Sequence, residues 1–305
     1  MSSFISLIQT ALELGLITSL TVLALFLSYS MLNVCDLSTD SCFTLGACTG
    51  AVIALINPAL SLPAAMLAGA LSGLLTALLQ TRMGINSLLS GIIVNTGMYS
   101  VNIAIMGNSS LVNINKAATV FTVMKELLTN TPLASYYRLI VIIISVFIIG
   151  LLLLAFLKTR LGLAIRATGD NPDMVRSSSI NPAFTTTIAL CISGSITALS
   201  GALMAQYQKT ANIDIGQGIL TVALASLLIG NSLTRSQKIS TRMISAIAGA
   251  FIFRLVYTIA LKLNMPAYML KLVSSVIVII AIAGPYLHQQ LPLIQRRLEY
   301  RKEVK

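Results

Sequence analysis

The sequence predicts an all-α, polytopic membrane helical bundle of about eight to ten transmembrane helices, some short or broken. Three observations carry that reading. Hydrophobic residues make up 56% of the 305 residues and charged residues 10%, with a mean hydropathy of +0.89, outside the mix of a soluble domain. Apolar runs recur near the ~20-residue length that crosses a hydrocarbon core of about 30 Å. The runs are also continuous rather than alternating, which suits helices with internally satisfied backbones and not the strands of an outer-membrane barrel.

In chain order the candidate spans are 5–32, 42–57, 59–81, 86–106, 137–157, 183–206, 218–233, 243–262 and 266–284. The pieces 42–57 and 218–233 are short enough to be broken or partial. The first segment lacks a basic leading region and is too long for a removable signal peptide, so it reads as a retained span. The chain reads as a single transmembrane domain, 1–305, interrupted by a loop at 107–136 and another at 158–182 and closed by a basic tail at 285–305. The first loop contains an amphipathic piece around 119–129 and either meets an extracellular partner or caps the bundle. Gly46-x-x-x-Gly50 and Gly69-x-x-x-Gly73 place small residues on one helix face, where backbones approach closely. The similarity of "AGALSGLL" (68–75) to "ITALSGAL" (196–203) hints at two related halves.

The formal charge of +11 reports topology and not a nucleic-acid partner. No Lys or Arg precedes Arg82; the basic residues gather at Lys158, Arg160, Arg166 and Arg176, at Arg235, Lys238 and Arg242, and in the tail from Arg296 to Lys305. The positive-inside rule puts these clusters in the cytoplasm, with 107–136, 207–217 and the N-terminus outside.

Several chemistries are missing. The chain has no G-x-x-x-x-G-K-[ST] phosphate loop, so any ATPase is a separate polypeptide. His288 is the one histidine, and Cys35, Cys42, Cys48 and Cys191 lack zinc-type spacing. No nucleophile sits beside a plausible base, which disfavours a membrane enzyme. We expect no metal or cofactor on this chain.

Charges inside apolar runs are functional candidates by default. Glu13, Asp36, Asp40, Arg254 and Lys271 fall in this class. Arg254 lies too deep in "ISAIAGAFIFRLVYTIALKL" to snorkel and needs an acidic, carbonyl or water partner; Asp36 or Asp40 is a candidate. Asn33, Asn95 and Asn102 add amides at membrane depth. Each of these groups either fixes helix packing or lines a solute path.

The segment "RATGDNPDMVRSSSINP" (166–182) gathers charge and two Asn-Pro pairs between apolar runs. Asp170 or Asn171 can cap a helix, Pro172 suits its first turn, and Asp173 complements its dipole. Residues 172–179 therefore read as a short helix, and Asn181-Pro182 opens the next span. Met174 and Val175 beside Arg176 are expected to expose an apolar-basic face fitted to a protein groove.

At this segment the chain resembles a known family. "TRLGLAIRATGDNPDMVRSSSINPAFTTTIALCISGSITALSGAL" looks like the cytoplasmic loop and following helix of permease subunits of ATP-binding-cassette importers of the ribose and branched-chain amino-acid type. "LNVCDLSTDSCFTLGACTGA" and "TVALASLLIGNSLTRSQKISTRMISAIAGAFI" resemble two further regions of that family, in order, so the likeness spans about residues 20–284. The stretch 230–238 departs from the family's glycine-rich pattern.

The resemblance implies a dimer of permeases in a bacterial inner (plasma) membrane. Each copy docks a coupling helix into a cytoplasmic ABC ATPase that carries ATP and Mg, and an extracellular or lipid-anchored binding protein delivers the solute. On this sequence the coupling helix is about Asn171 to Ser178, and the coupling candidates are Gly169, Asp170, Asn171, Pro172, Asp173, Met174, Val175, Arg176, Ser177 and Ser178. The family's "DLS" region falls on Asp36, Leu37 and Ser38, so the candidate solute path is Asn33, Asp36, Ser38, Asp40, Asn95 and Arg254. "GINSLLSGIIVNTGMYSVNIAIMG" and "NMPAYMLKLVSSVIV" look most like permeases grouped with tryptophan or other aromatic amino-acid importers, while a sugar or nucleoside stays open. The alternatives are an ion-coupled secondary transporter and, more remotely, a membrane enzyme.

Overall fold

The computed structural model describes residues 2–262 apart from 116, 130–135, 235 and 237, together with 269, 272, 275–279 and 283. The expected span 266–284, Lys271, His288 and the tail 285–305 fall wholly or mostly outside the described residues. Helix α1 (Ser2–Leu25) widens into a π-helical segment, Phe26–Met31, and is followed by α2 (Thr39–Ala54), α3 (Pro58–Thr81) and α4 (Ser87–Ile105). Beyond a short strand, β1 (Leu111–Asn113), come α5 (Val120–Leu127), α6 (Tyr137–Leu157), α7 (Arg160–Asp170) and α8 (Pro172–Ser177). The chain continues through α9 (Pro182–Gln208), β2 (Thr210–Asn212), α10 (Ile219–Leu233) and α11 (Ile239–Lys262).

Local chemistry sets most of these boundaries. Asn57, Asn171 and Asn181 each precede a proline at the first helical turn, and each side chain accepts a bond from a backbone N–H of that turn. A proline there forfeits no intrahelical bond, and its fixed φ suits the helix. Thr119 and Thr122 close a reciprocal capping box on α5, within the amphipathic piece expected at 119–129.

Six helices among the described residues are long and apolar enough to cross a membrane: Ile8–Met31, Pro58–Thr81, Ser87–Ile105, Tyr137–Leu157, Pro182–Gln208 and Ile239–Ala260. The chain is a multi-pass, all-α membrane bundle, and the two three-residue strands are its one β-structure among the described residues. At 16 and 15 residues, α2 and α10 rise about 24 and 22 Å, short of a full crossing of about 30 Å.

Helix α2 lies at the centre and is buried on nearly every side. Its glycines let it touch α9 backbone to backbone, since a Cβ on Gly46 would strike Ala198 and one on Gly50 would meet Ala202. Across the same helix, Gly69 and Gly73 of α3 face Gly194 and Leu190 of α9. Both Gly-x-x-x-Gly pairs therefore serve packing. Cys42 fills the seam between these backbones, with Sγ 3.2 Å from the Gly194 carbonyl.

We expect Gly46→Val to collapse the yield of monodisperse protein in detergent, because two backbones must separate. Gly97→Ala, where a Cβ meets nothing within 4 Å, leaves the yield unchanged. Equal yields for the two variants would remove the basis for this packing argument.

The same contacts fix direction. Ser200 Oγ donates to the Ile17 carbonyl at 2.7 Å and Ser193 Oγ to the Ala24 carbonyl at 3.0 Å, so α1 and α9 run antiparallel. Gly46 beside Ala198 and Gly50 beside Ala202 make α2 parallel to α9 and set the start of α2 beside the middle of α9. Gly230 against Ser245 and Ala246, with Gly249 against Ser226, makes α10 antiparallel to α11. Arg242 Nη2 reaches Ser30 Oγ at 2.9 Å while Gly15 meets Phe251, so α11 opposes α1.

The chain therefore does the same thing twice, in opposite senses. A long helix (α1, α9) crosses, the chain returns to mid-bundle (32–38, 209–218), and a half-helix (α2, α10) leaves from there in the opposite direction. Reversed repeats of this kind place two half-helix N-termini at one depth. In this arrangement α3 corresponds to α11 and α9 to α1, so the likeness of 68–75 to 196–203 is not the repeat. Those segments lie in α3 and α9, which pack against each other through Gly69, Gly194 and Ala198, and their shared small residues reflect that contact.

Candidate functional site

The two returns meet. Asp40, in the first turn of α2, accepts hydrogen bonds from Leu220 N at 2.7 Å and Gly218 N at 3.0 Å, and so caps α10 across 178 residues of sequence. Gly218 takes φ +82°, a left-handed conformation that glycine adopts without strain. Gly216 passes so close to the Asp40 carbonyl that a Cβ would collide with it. A carboxylate at a helix N-terminus is favoured by the free N–H groups and the dipole, and far more so away from water.

Asp36 is turned inward. Its Oδ1 accepts from Ser38 N at 2.9 Å and Ser38 Oγ at 2.6 Å, and Thr39 Oγ1 donates to its carbonyl at 2.8 Å. Thr76 Oγ1 on α3 donates to Ser38 Oγ at 3.2 Å. Asp36 and Ser38 are both buried, so this cluster fixes where α2 begins. Leu37 lies against Gly91 of α4, and Asn102 Nδ2 donates to the Ser41 carbonyl at 3.4 Å. Of the expected path residues, Asp36, Ser38 and Asp40 are thus brought together. Asn95 is half-buried on α4 and bonds none of them.

The candidate pairing of Arg254 with Asp36 or Asp40 does not occur. Both carboxylates are engaged by backbone N–H groups, whose positions follow from the two helix starts. The Arg254 guanidinium stands over the Tyr257 ring, 5.3 Å from its centroid, and its Nε is buried without a hydrogen-bond partner among the described residues. Glu13 is buried and takes bonds from Gln9 Nε2 at 3.0 Å and Tyr207 Oη at 2.8 Å. Arg138 lies over the Tyr207 ring, completing a polar network of α1, α6 and α9.

The short helix at 172–179 is present as α8. Asn171, not Asp170, caps it: its Oδ1 accepts from Asp173 N and Met174 N, both at 3.1 Å. Exposed Arg176 lies 3.9 Å from Asp173 Oδ1, one turn earlier. One expectation fails here. Met174 is 60% exposed but Val175 is 1% exposed, because the short helix turns one face onto the bundle. The outward face is Asp173, Met174, Arg176, Ser177 and Ser178.

The inward side ties the α7–α8 segment to the two long crossing helices. A Cβ on Gly169 would strike the Met31 carbonyl and Leu32, so α7 rests directly on the end of the first span. Thr168 and Thr185 share a hydroxyl–hydroxyl bond of 2.8 Å between α7 and α9. A cavity of about 530 Å³ opens here, lined among others by Asn33, Gln80, Gly169 and Arg176. Asn33 therefore sits with the α7–α8 loop, not with Asp36.

The sequence reading missed Gly216, Gly218 and the Leu220 N–H. The signal present was two glycines just before a short apolar helix, in "DIGQG".

Half-helices leaving mid-bundle in opposite directions, with a capped surface helix joined through α7 to the end of the first span, define a membrane transport component. Residues 7–282 match the family described as branched-chain amino acid transport system / permease component, and the chain belongs to it. Over 282 residues it is 32% identical to the tyrosine transport system permease protein of Clostridioides difficile (strain R20291), covering 88% of each chain. It is 29% identical over 279 residues to an uncharacterized protein of Rickettsia prowazekii (strain Madrid E), covering 90% of this chain and 96% of that one. No solved structure gives a significant match.

Proposed function

We propose that this chain is the membrane-spanning subunit of an ATP-binding-cassette importer for an amino acid, with an aromatic one favoured. The observation that carries the reading is α8: a six-residue helix, firmly capped, with an outward face of Met174 and Arg176 and a buried Val175, joined directly to α7, whose Gly169 is seated on the end of the first span. A separate ATPase carrying ATP and Mg grips α8, and its movement passes through Gly169 to residues 31–38 and so to the start of α2. The relative named for tyrosine transport supports the substrate class. Asn33, Asp36, Ser38, Asp40, Asn95 and Arg254 belong to the path or hold its walls.

The chain works as one of two copies in a bacterial plasma membrane and receives solute from an extracellular or lipid-anchored binding protein. The basic clusters support a topology with α7–α8 in the cytoplasm, the β1–β2 end and the N-terminus outside and the C-terminus inside. ATP binding biases the path between outward-open and inward-open states. The chain itself performs no bond chemistry.

The test is reconstitution in proteoliposomes with an ATPase and a binding protein of the same host. Tyrosine uptake that requires ATP and both partners is expected. Uptake by this chain alone, driven by a proton or sodium gradient, would instead establish a secondary transporter.

A further inference from the structure

We propose that Arg254 binds the carboxylate of the transported amino acid. The inference rests on the amino-acid reading above. A cavity of about 670 Å³ lies between the end of α9, the start of α10 and α11, within the range of small-molecule sites. Its polar lining is Gln208, Gln217, Thr221, Arg254, Tyr257 and Ser275, and Arg254 is the one charged residue among the lining residues. Aliphatic groups such as Met204 and Ile219 make up much of the rest.

Three features point to an anionic ligand group. First, a guanidinium at membrane depth is expensive without a counter-charge, yet Arg254 forms no ion pair with a described carboxylate and its Nε has no hydrogen-bond partner among the described residues. Second, the buried carboxylates of the elements around it are already engaged: Glu13, two residues from the Gly15 that packs on Arg254, accepts from Gln9 and Tyr207. Asp40 is bound by Gly218 N and Leu220 N, and Gly218 itself lines this cavity. Third, the start of α10 cannot take the anion, because Asp40 occupies it; Arg254 is left as the cation of the cavity.

A guanidinium presents paired N–H donors that match a carboxylate bidentately. Tyr257 holds the guanidinium from one side by its ring, which limits the geometries the fork can take. The arrangement selects for a carboxylate in a solute whose remaining bulk meets aliphatic walls. A sugar or nucleoside would leave the charge unanswered.

The test uses the reconstituted permease–ATPase complex with its binding protein and labelled tyrosine. Arg254→Gln is expected to lower uptake at saturating binding protein by at least about tenfold, and Arg254→Lys to recover only part of it, because the ammonium keeps the charge but not the paired donors. A measurement on near-native protein accompanies these: maleimide labelling of Thr221→Cys, taken against the parent chain, is slowed by tyrosine but not by tyramine, which lacks the carboxylate. Tyrosine uptake by Arg254→Gln equal to wild type, or equal protection by tyrosine and tyramine, overturns the assignment while leaving the importer reading intact. Wild-type complex that imports a sugar and no amino acid overturns both.

Discussion

Replacing Asp40 with Ala is expected to leave the chain in the membrane but lower ATP-driven uptake by about tenfold or more. The carboxylate accepts from Leu220 N at 2.7 Å and Gly218 N at 3.0 Å, and hydrogen bonds to a charged group contribute about 1.5–3 kcal/mol each. Without them two N–H groups at the start of α10 lose their acceptors inside the bundle, where water is a poor substitute. Asp40→Asn keeps one acceptor oxygen and should fall between Ala and wild type. Hydrogen exchange at 218–222 should rise in the same order. An Ala variant with wild-type exchange and uptake would show that the two half-helices are held by something else.

The second large effect separates neighbours in α8. Met174→Asp changes a side chain that is 60% exposed, so thermal stability of the isolated permease should move by no more than about 0.5 kcal/mol. Uptake should nevertheless be lost, because a charge enters the surface offered to the ATPase. Val175→Asp changes a side chain that is 1% exposed, and burying an unpaired carboxylate there destabilises the permease itself by about 3 kcal/mol or more. The pair therefore distinguishes docking from folding. ATPase co-purification and uptake unaltered by Met174→Asp would remove α8 from the coupling role.

These experiments bear on a chain of mechanical contact. Gly169 rests on Met31 and Leu32, six residues later Ser38 and Asp36 fix the start of α2, and Asp40 grips α10. A displacement of α8 thus has a direct route to the place where both half-helices begin. Between those starts and the α9–α11 side, the cavity holding Arg254 shares Gly218 with the Asp40 cap.

Much of this was readable from the chain alone, and the reason is locality. A membrane helix is specified by its own apolar length, and the expected spans 59–81, 137–157 and 183–206 fall on Pro58–Thr81, Tyr137–Leu157 and Pro182–Gln208. Caps are equally local: an Asn carbonyl oxygen finds N–H groups two or three residues on, so Asn171-Pro172 and Asn181-Pro182 marked α8 and α9 without any knowledge of their neighbours. The shortness of α2 and α10 was visible for the same reason.

What the sequence could not decide was which polar group answers which. On charge alone Asp36 or Asp40 is a candidate partner for Arg254, beside a carbonyl or water, yet Asp40 turns to the backbone of α10 and Arg254 to Tyr257. At membrane depth a buried charge takes the partner that packing brings within about 3 Å, and a backbone N–H at a helix start leaves no mark in the residue types. Val175 likewise looked like Met174, since a two-turn helix has no period long enough to reveal its inner face. The sequence by itself determined a helical membrane permease with a capped surface helix; the tertiary structure alone decided the joining of the two half-helices through Asp40 and the isolation of Arg254, because both depend on contacts between segments some 180 residues or more apart.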